Sequence, residues 1–238
     1  MRDPFVDRKV TSRRGGPTKA PLSQEAIVTA ALELLSREGP EGMSLRKVAQ
    51  SLETGAASLY AYVESLEELQ ALVCDRGLAD VKVAGSSKGD WRKRLVRLLT
   101  SYLLVLIRTP GLAQLAMKTI AVGPNALRIL EAILGLLEAG GVERGTAAWA
   151  SDLLTRHVTA IAAAQSDRQQ RADPLGPAAL VIDSVSPARY PLIFAAREDL
   201  FSGGPRRLAW VLDALVAGIL NTPRPPATGK TLSRKRMA

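Results

Sequence analysis

Residues 44–66 constrain this chain more than any other stretch, because their pattern predicts two short helices joined by a tight turn. Apolar side chains recur at helical spacing before the turn, and Ser44 stands where it can cap the first helix. Residues 53–55 interrupt the pattern, and we expect Gly55 to supply the backbone angles of the turn. A second apolar face resumes at Leu59. The segment therefore predicts a helix-turn-helix, a shape that reads DNA.

The rest of the chain predicts helices and no convincing β-strand, so we expect an all-α protein. Residues 178–182 are the one β-like run, and we expect a loop or a partial turn of helix there. Helices are predicted at 23–38, from Ser65 onward, and at 91–108, 112–121, 125–139, 143–170, 188–201 and 205–221. The expected organisation is a basic flexible arm at 1–20, a helix-turn-helix domain at 21–84 with its motif at 45–64, a larger helical domain at 90–221, and a basic disordered tail at 222–238.

The net charge of +9 comes from the two ends of the chain. Residues 1–20 hold six basic and two acidic side chains, residues 224–238 hold five basic and no acidic ones, and the stretch between them is neutral. The ends either serve only solubility or, in the case of the first arm, add phosphate or minor-groove contacts beside DNA. On the second hypothesis, deleting residues 1–19 weakens DNA binding and flattens its salt dependence.

Cysteine and histidine are too scarce for the common catalytic and metal sites. Cys74 and His157 are single residues of their kind, so we expect no intramolecular disulfide and no zinc site, and a reducing cytoplasm fits. The sequence holds no glycine-rich phosphate loop and no His-Glu-x-x-His motif. We expect neither an enzyme nor a cofactor. The charged N-terminus and short apolar runs predict neither a signal peptide nor a membrane span.

Residues 43–73, MSLRKVAQSLETGAASLYAYVESLEELQALV, resemble the tetracycline repressor (TetR) family of transcription regulators. They follow that family's plan of an apolar–polar helix, a small-residue turn, a Leu-Tyr pair, and a helix with an acidic, leucine-rich start. The runs WRKRLVRLL, TPG, GGVERGTAAWASDLLTRHVTAIA and PRRLAWVLDALVAGI resemble the tetracycline-repressor type of C-terminal domain. The likeness extends over residues 21–221.

The resemblance implies an all-α homodimer whose two recognition helices enter successive major grooves of a palindromic operator. Its larger domain would bind a small-molecule inducer and dimerise. The DNA-contacting residues that it implies are Ser44, Arg46, Lys47, Gly55, Ala56, Ala57, Ser58, Tyr60 and Tyr62, with Arg13 and Arg14 from the arm as a further expectation.

Two features depart from the family's pattern. Leu66 stands where the family usually has a phosphate-binding lysine. Ala56 and Ala57 cannot form the two-pronged hydrogen bonds that identify guanine or adenine, so thymine methyls and DNA shape must contribute more to specificity.

The resemblance also implies a ligand pocket lined by Tyr102, Leu106, Gln114, Met117, Trp149, Leu153 and His157. His157 shares a helical stripe with Trp149 and Leu153 and is either a core or interface histidine, a polar anchor in an apolar pocket, or a metal ligand. The apolar members of the set are equally ordinary core candidates. With 4% aromatic residues, an extended apolar ligand is as compatible as a polycyclic one.

The predicted function is that of a ligand-responsive transcriptional regulator, a repressor that a small-molecule inducer releases from its operator. The alternatives are an activator or a ligand-independent regulator, and an all-helical binding protein whose helix-turn-helix contacts only protein. The long helix at 143–170 and the last helix, with Leu208, Leu212, Leu215 and Ile219 on one stripe, predict a dimer interface unless both pack only internally.

Overall fold

The computed structural model describes residues 4–5, 22–83, 89–169 and 176–225, and its secondary structure in these ranges is entirely helical. The all-α prediction is confirmed. The helices are α1 (Gln24–Gly42), α2 (Leu45–Ser51), α3 (Ala56–Leu59), α4 (Leu66–Gly77), α5 (Trp91–Arg108), α6 (Leu112–Lys118), α7 (Pro124–Ala139), α8 (Arg144–Gln169), α9 (Gly176–Asp183), α10 (Pro191–Leu200) and α11 (Gly204–Asn221).

The first four helices form one unit, which contains the predicted helix-turn-helix and which we call the DNA-binding unit. One face of α1 contributes buried apolar side chains to its core. Ser23 caps α1 by accepting a hydrogen bond from the amide of Ala26 at 3.1 Å, and Ile27, Leu34 and Leu35 are buried beneath it. The helix bends at Gly39, whose φ of 71° is non-helical, and continues for one turn to Gly42. This extra turn lies beyond the predicted end at residue 38.

The turn between α2 and α3 differs from the prediction. Gly55 has an ordinary extended conformation (φ −80°, ψ 145°), whereas Glu53 takes the left-handed one with φ 49°. The left-handed residue of the turn is therefore Glu53 and not Gly55. This conformation costs a residue with a side chain free energy that a glycine would avoid. The amide of Thr54 closes the turn on the carbonyl of Ala49 at 2.8 Å.

The larger domain is built on the long contact of α5 with α8, against which α6 and α7 also pack. Its core is aliphatic and includes Leu99, Leu106, Leu115 and Ile133. The β-like run at 178–182, expected to be a loop or a partial turn of helix, lies within the eight-residue helix α9, which packs chiefly against α10.

No single described helix is long and apolar enough to cross a membrane. The pair α5 and α6 reaches that length and apolarity only together, with a bend of 110° between them.

Candidate DNA-binding surface, ligand site and domain seam

The exposed side of α2 carries the basic residues predicted to contact DNA. The hydroxyl of Ser44 accepts the amide of Lys47 at 3.3 Å and so caps α2. Lys47 binds the carboxylate of Glu38 at 2.5 Å, which offsets part of its charge, and Arg46 is exposed. Arg46 borders an open groove of about 700 Å³ whose rim also includes Gln50 and Thr54.

Sequence reasoning missed Gln50 and Thr54 as candidate DNA contacts. Both are polar residues that flank the turn, and the groove that they share with Arg46 lies beside the start of α3. Their signal in the sequence was weak, because a polar residue on the outer face of a helix is usually only solvated.

The short α3 presents Ala57, Ser58 and Tyr60 to solvent, and the ring of Tyr60 is 56% exposed. Gly55 is exposed and Ala56 is half-buried at the same surface. Tyr62 is different: it is 5% exposed and belongs to the domain core, so the expectation that its side chain contacts phosphate is corrected. The two tyrosines are two residues apart, and the chain turns between them so that one ring points inward. Arg13 and Arg14 lie outside the described residues.

Leu66 begins α4 as a half-buried residue packed against the core. Ser65 caps this helix by accepting the amide of Glu68 at 3.1 Å, while the Glu68 carboxylate accepts the amide of Glu64 at 2.6 Å. The start of α4 therefore carries acidic groups and an apolar contact in place of a cation.

Four of the predicted pocket residues place buried groups in the larger domain. Tyr102 and Leu106 of α5 are buried, and the Tyr102 hydroxyl lies 2.9 Å from the hydroxyl of Thr159 on α8. Burial raises the pKa of the Tyr102 phenol, and the Thr159 hydrogen bond opposes this shift. Oε1 of Gln114 and Nε2 of His157 are also buried, and this Nε2 makes no hydrogen bond to any described residue.

Three predicted pocket residues lie on the surface of the chain instead. Met117 of α6 is 55% exposed, and Trp149 and Leu153 of α8 are 59% and 46% exposed, so none of the three is enclosed in the single chain, and their assignment to the ligand site stays a prediction. Trp149 and Leu153 lie outward because α8 has two apolar faces, and the periodicity of a sequence does not tell which of them turns inward. The guanidinium of Arg224 lies 5.6 Å from the centre of the Trp149 ring.

The two units meet at a contact of α1 and α4 with α6 and α7, which we call the domain seam. Asp75 of α4 is buried there, and its carboxylate accepts hydrogen bonds from the Ala126 amide at 2.9 Å and from the Asn125 side chain at 3.0 Å. The first turn of α7 thus has its free amides satisfied by a residue of α4. Arg128 of α7 in turn donates to the carbonyls of Val81 at 2.9 Å and Ala79 at 3.2 Å.

Two glycines bring the helices of the domain seam into close contact. A Cβ on Gly77 of α4 would lie 2.6 Å from a methyl group of Leu112 on α6. A Cβ on Gly111, whose φ is 78°, would lie 2.8 Å from the backbone oxygen of Leu35 on α1. At both positions the absence of a side chain lets α6 pack directly against α4 and α1.

Among the described residues, no group of three or more His, Cys, Asp or Glu side chains is placed to hold a metal ion. Cys74 is buried, and burial, with the neighbouring Asp75 carboxylate, raises the pKa of its thiol to about 12. A thiol of this kind is neutral and unreactive at physiological pH.

Two family descriptions match the chain. Residues 27–71 match the bacterial regulatory proteins of the tetR family, and residues 83–222 match the tetracyclin repressor-like C-terminal domain. The chain belongs to the TetR family of transcriptional regulators.

The relatives of this TetR-family regulator are regulators themselves. A transcription regulator of Streptomyces, SCO7704, is 38% identical and covers 87% of this chain and 98% of its own, with a TM-score of 0.71. ActR of Streptomyces coelicolor, solved in complex with actinorhodin, is 33% identical, with coverage of 85% and 98% and a TM-score of 0.76.

Two curated relatives are named as HTH-type transcriptional regulators or repressors. The HTH-type transcriptional repressor DrrR1 of Streptomyces coeruleorubidus is 28% identical over 88% of this chain and 82% of its own. An HTH-type transcriptional regulator of Saccharopolyspora erythraea is 33% identical over 149 residues, which span 63% of each chain, so this chain aligns with less than two thirds of that relative.

Proposed function

We propose that this TetR-family regulator is a repressor that leaves a palindromic operator when a small molecule binds its larger domain. The observation that carries the proposal is the position of α4. Its first turn follows the recognition helix, and its second half is fixed to α6 and α7 through Gly77 and Asp75. A ligand that displaces α6 or α7 would therefore turn the DNA-binding unit and change the spacing of two recognition helices.

The ligand site proposed here is the interior between α5, α6 and α8. The unpaired Nε2 of His157 supports it, because an unsatisfied buried polar group costs about 1–3 kcal/mol that a ligand's hydrogen-bond partner would recover. Two relatives support the proposal: ActR, whose structure holds actinorhodin, supports ligand binding, and DrrR1, which is named a repressor, supports repression. Tyr102, Leu106 and Gln114 are the other residues that we assign to this site.

Operator recognition is proposed to depend on shape and close fit. The segment 44–66 is electrically neutral, and its base-facing positions are the small residues Ala56, Ala57 and Ser58. Arg46 and Tyr60, both exposed, are the side chains that we assign to phosphate contact.

The stripe of α11 that was predicted to form a dimer interface packs inward at Leu212 and Ile219, so the active form is proposed to be a homodimer through the outer faces of α8 and α11. These faces combine large exposed apolar groups with small residues, namely Ala148, Trp149, Leu153, Ala160, Trp210, Ala214 and Gly218. Two such helices from each chain would form a four-helix interface and bury surface that a single chain leaves open.

Selection of binding sites from random DNA duplexes by the full-length protein tests the proposal. We expect an imperfect palindrome with half-sites about one helical turn apart, and release of that duplex by a small molecule, with actinorhodin as the first probe. Recovery of an operator that no ligand in a metabolite library releases would favour a ligand-independent regulator. Activated transcription from a promoter carrying the operator would favour an activator. No enrichment of any duplex would favour a protein-binding role and overturn the proposal.

Sedimentation tests the dimer. Trp210, 69% exposed on α11, lies at the proposed interface, whereas Ile120 is exposed on the connection between α6 and α7. We expect W210E to sediment as a monomer and I120E as a dimer at micromolar concentration. A wild-type monomer at that concentration contradicts both the dimer and the palindrome.

A further inference from the structure

Pro4 and Phe5, the described residues ahead of α1, lie against the DNA-binding unit. The side-chain amide of Gln24, at the first turn of α1, donates a hydrogen bond to the carbonyl of Pro4 at 3.2 Å. The next residue, Phe5, is half-buried and packs against the hydrophobic core. An aromatic side chain this close to the N-terminus is therefore held by tertiary contacts.

Phe5 borders a pocket whose other walls come from both sides of the domain seam. This seam pocket is the space left beside the ring, has a volume of about 330 Å³, and is lined by Phe5 together with Val28 of α1, Leu72 and Asp75 of α4, and Asn125 of α7. Those residues belong to the DNA-binding unit on one side and to the larger domain on the other. A side chain that contacts both sides stabilises their relative arrangement, because it loses contacts when either side moves.

Gly123 leaves the space that the ring occupies. A Cβ at this position would overlap both Cε1 of Phe5 and the carboxyl group of Asp75. The φ of Gly123 is −78°, which any residue adopts, so glycine serves here to admit the aromatic ring and the carboxylate rather than to permit a special backbone angle.

We propose that Phe5 is an intramolecular clamp of the domain seam, which holds α4 against α7 and couples Phe5 to the orientation of the DNA-binding unit. Its ring lies beside Gly123 and the Asp75 carboxylate and forms one wall of the seam pocket. The effect on operator binding rests on the proposed function, whereas the seating of Phe5 does not.

The coupling has a defined physical consequence. Without Phe5 the DNA-binding units sample more orientations, and more freedom is lost when two of them dock on one operator. F5A removes no charge, so the number of phosphates neutralised and the slope of affinity against salt stay the same. We therefore expect F5A to weaken operator binding about fivefold, at the lower end of typical coupling free energies, with an unchanged salt slope.

Fluorine NMR on the free, full-length protein tests whether Phe5 is seated. The chain has three phenylalanines, so labelling with 4-fluorophenylalanine gives three resonances that F5L, F194L and F201L assign. A soluble gadolinium chelate should broaden the Phe5 resonance much less in the folded protein than in urea, and D75N should shift it. Equal broadening in both states means that Phe5 is not seated and overturns the proposal.

Hydrogen exchange tests whether the seated ring stabilises the domain seam. We expect F5A to speed exchange of the Asn125 and Ala126 amides, which donate to Asp75, severalfold, and the matched arm variant V10A to leave them unchanged. Unchanged exchange in F5A, or unchanged operator affinity in a protein that binds an operator, overturns the coupling. If the NMR and exchange results hold but no operator exists, the proposed function has failed and the clamp of the domain seam stands.

Discussion

Asp75 on α4 caps the first turn of α7, where its carboxylate accepts hydrogen bonds from both the backbone and the side chain of Asn125 at 3.3 and 3.0 Å. A third bond, from the Ala126 amide at 2.9 Å, completes the contact. A helix of the DNA-binding unit therefore satisfies the amides that begin a helix of the larger domain, and the two units share one buried ionisable group.

Replacing this carboxylate should destabilise the protein. D75N keeps the shape but loses the charge that favours a helix N-terminus and turns one acceptor into a donor, so we expect a loss of about 1–3 kcal/mol. Urea unfolding at fixed protein concentration measures it. D80N is the matched control, because Asp80 is an exposed aspartate shortly after the end of α4. Equal midpoints for D75N and D80N would show that the cap contributes nothing.

The left-handed turn at Glu53 predicts a stabilising substitution. Asparagine adopts φ above zero more readily than glutamate, so E53N should raise stability by about 0.5–1 kcal/mol. It also removes a carboxylate from the rim of the Arg46 groove, which should strengthen operator binding. E53Q makes the same charge change at the same residue without asparagine's tolerance of φ above zero, and we expect it to strengthen binding without raising stability. Thermal unfolding that finds the two variants equally stable would contradict the account of the turn.

The hydrogen bond between Tyr102 and Thr159 predicts an asymmetric pair of substitutions. In Y102F the Thr159 hydroxyl still donates to the carbonyl of Thr155 at 2.8 Å, so we expect a loss of about 1 kcal/mol. In T159V the buried tyrosine hydroxyl loses its partner, so the loss should be larger, about 1–3 kcal/mol. The double variant should lose less than the sum, as a double-mutant cycle of unfolding free energies would show. A strictly additive cycle would argue against the bond.

His157 should matter for the ligand and not for stability. H157L removes a buried nitrogen that has no partner among the described residues, so the free energy of unfolding should stay level or rise by up to about 1 kcal/mol. The variant should bind operator normally but no longer release it with the ligand from the metabolite screen, whereas H157Q, which keeps a polar group, should respond in part. A loss of stability together with a full ligand response would assign His157 to the core instead.

The buried thiol of Cys74 predicts a pH dependence of stability. Its pKa is raised from 9.0 to about 12 in the folded protein, first by burial and then by Asp75. A raised pKa means that the folded state holds the proton more tightly, so the contribution is complete below pH 9 and is lost as the pH rises from 9 towards 12. At pH 8 we expect a thiol reagent to modify Cys74 only as fast as the protein opens. Rapid modification of the native protein would contradict its burial.

Local spacing was enough to place most helices. The prediction for Trp91–Arg108 matches α5 residue for residue, because its apolar stripe is continuous and Thr109-Pro110-Gly111 ends it. The prediction left residues 178–182 open between a loop and a partial turn of helix, because a short apolar run does not fix its own secondary structure, and the structure has a full helix there. The prediction failed for Glu53, because the strain of a left-handed glutamate is accepted only where surrounding packing requires it.

The sequence also predicted the exposure of some candidate site residues and not of others. Arg46, Ala57, Ser58 and Tyr60 are exposed as the helix-turn-helix pattern requires, since that pattern fixes which side of each helix is polar. The resemblance assigned Tyr62 to DNA contact and Met117 and Leu153 to the ligand site. In the structure Tyr62 is buried, and Met117 and Leu153 are exposed.

The sequence by itself determined the all-α fold and the helix-turn-helix, because these depend on periodicity and caps that act within a few residues, and the resemblance of residues 43–73 indicated the family. Only the tertiary structure decided which apolar face of α8 is inside, that Asp75 caps α7, and that Phe5 lies in the domain seam beside Gly123. These are contacts between segments far apart in the chain. Their free energy comes from the fit of surfaces that no local pattern encodes.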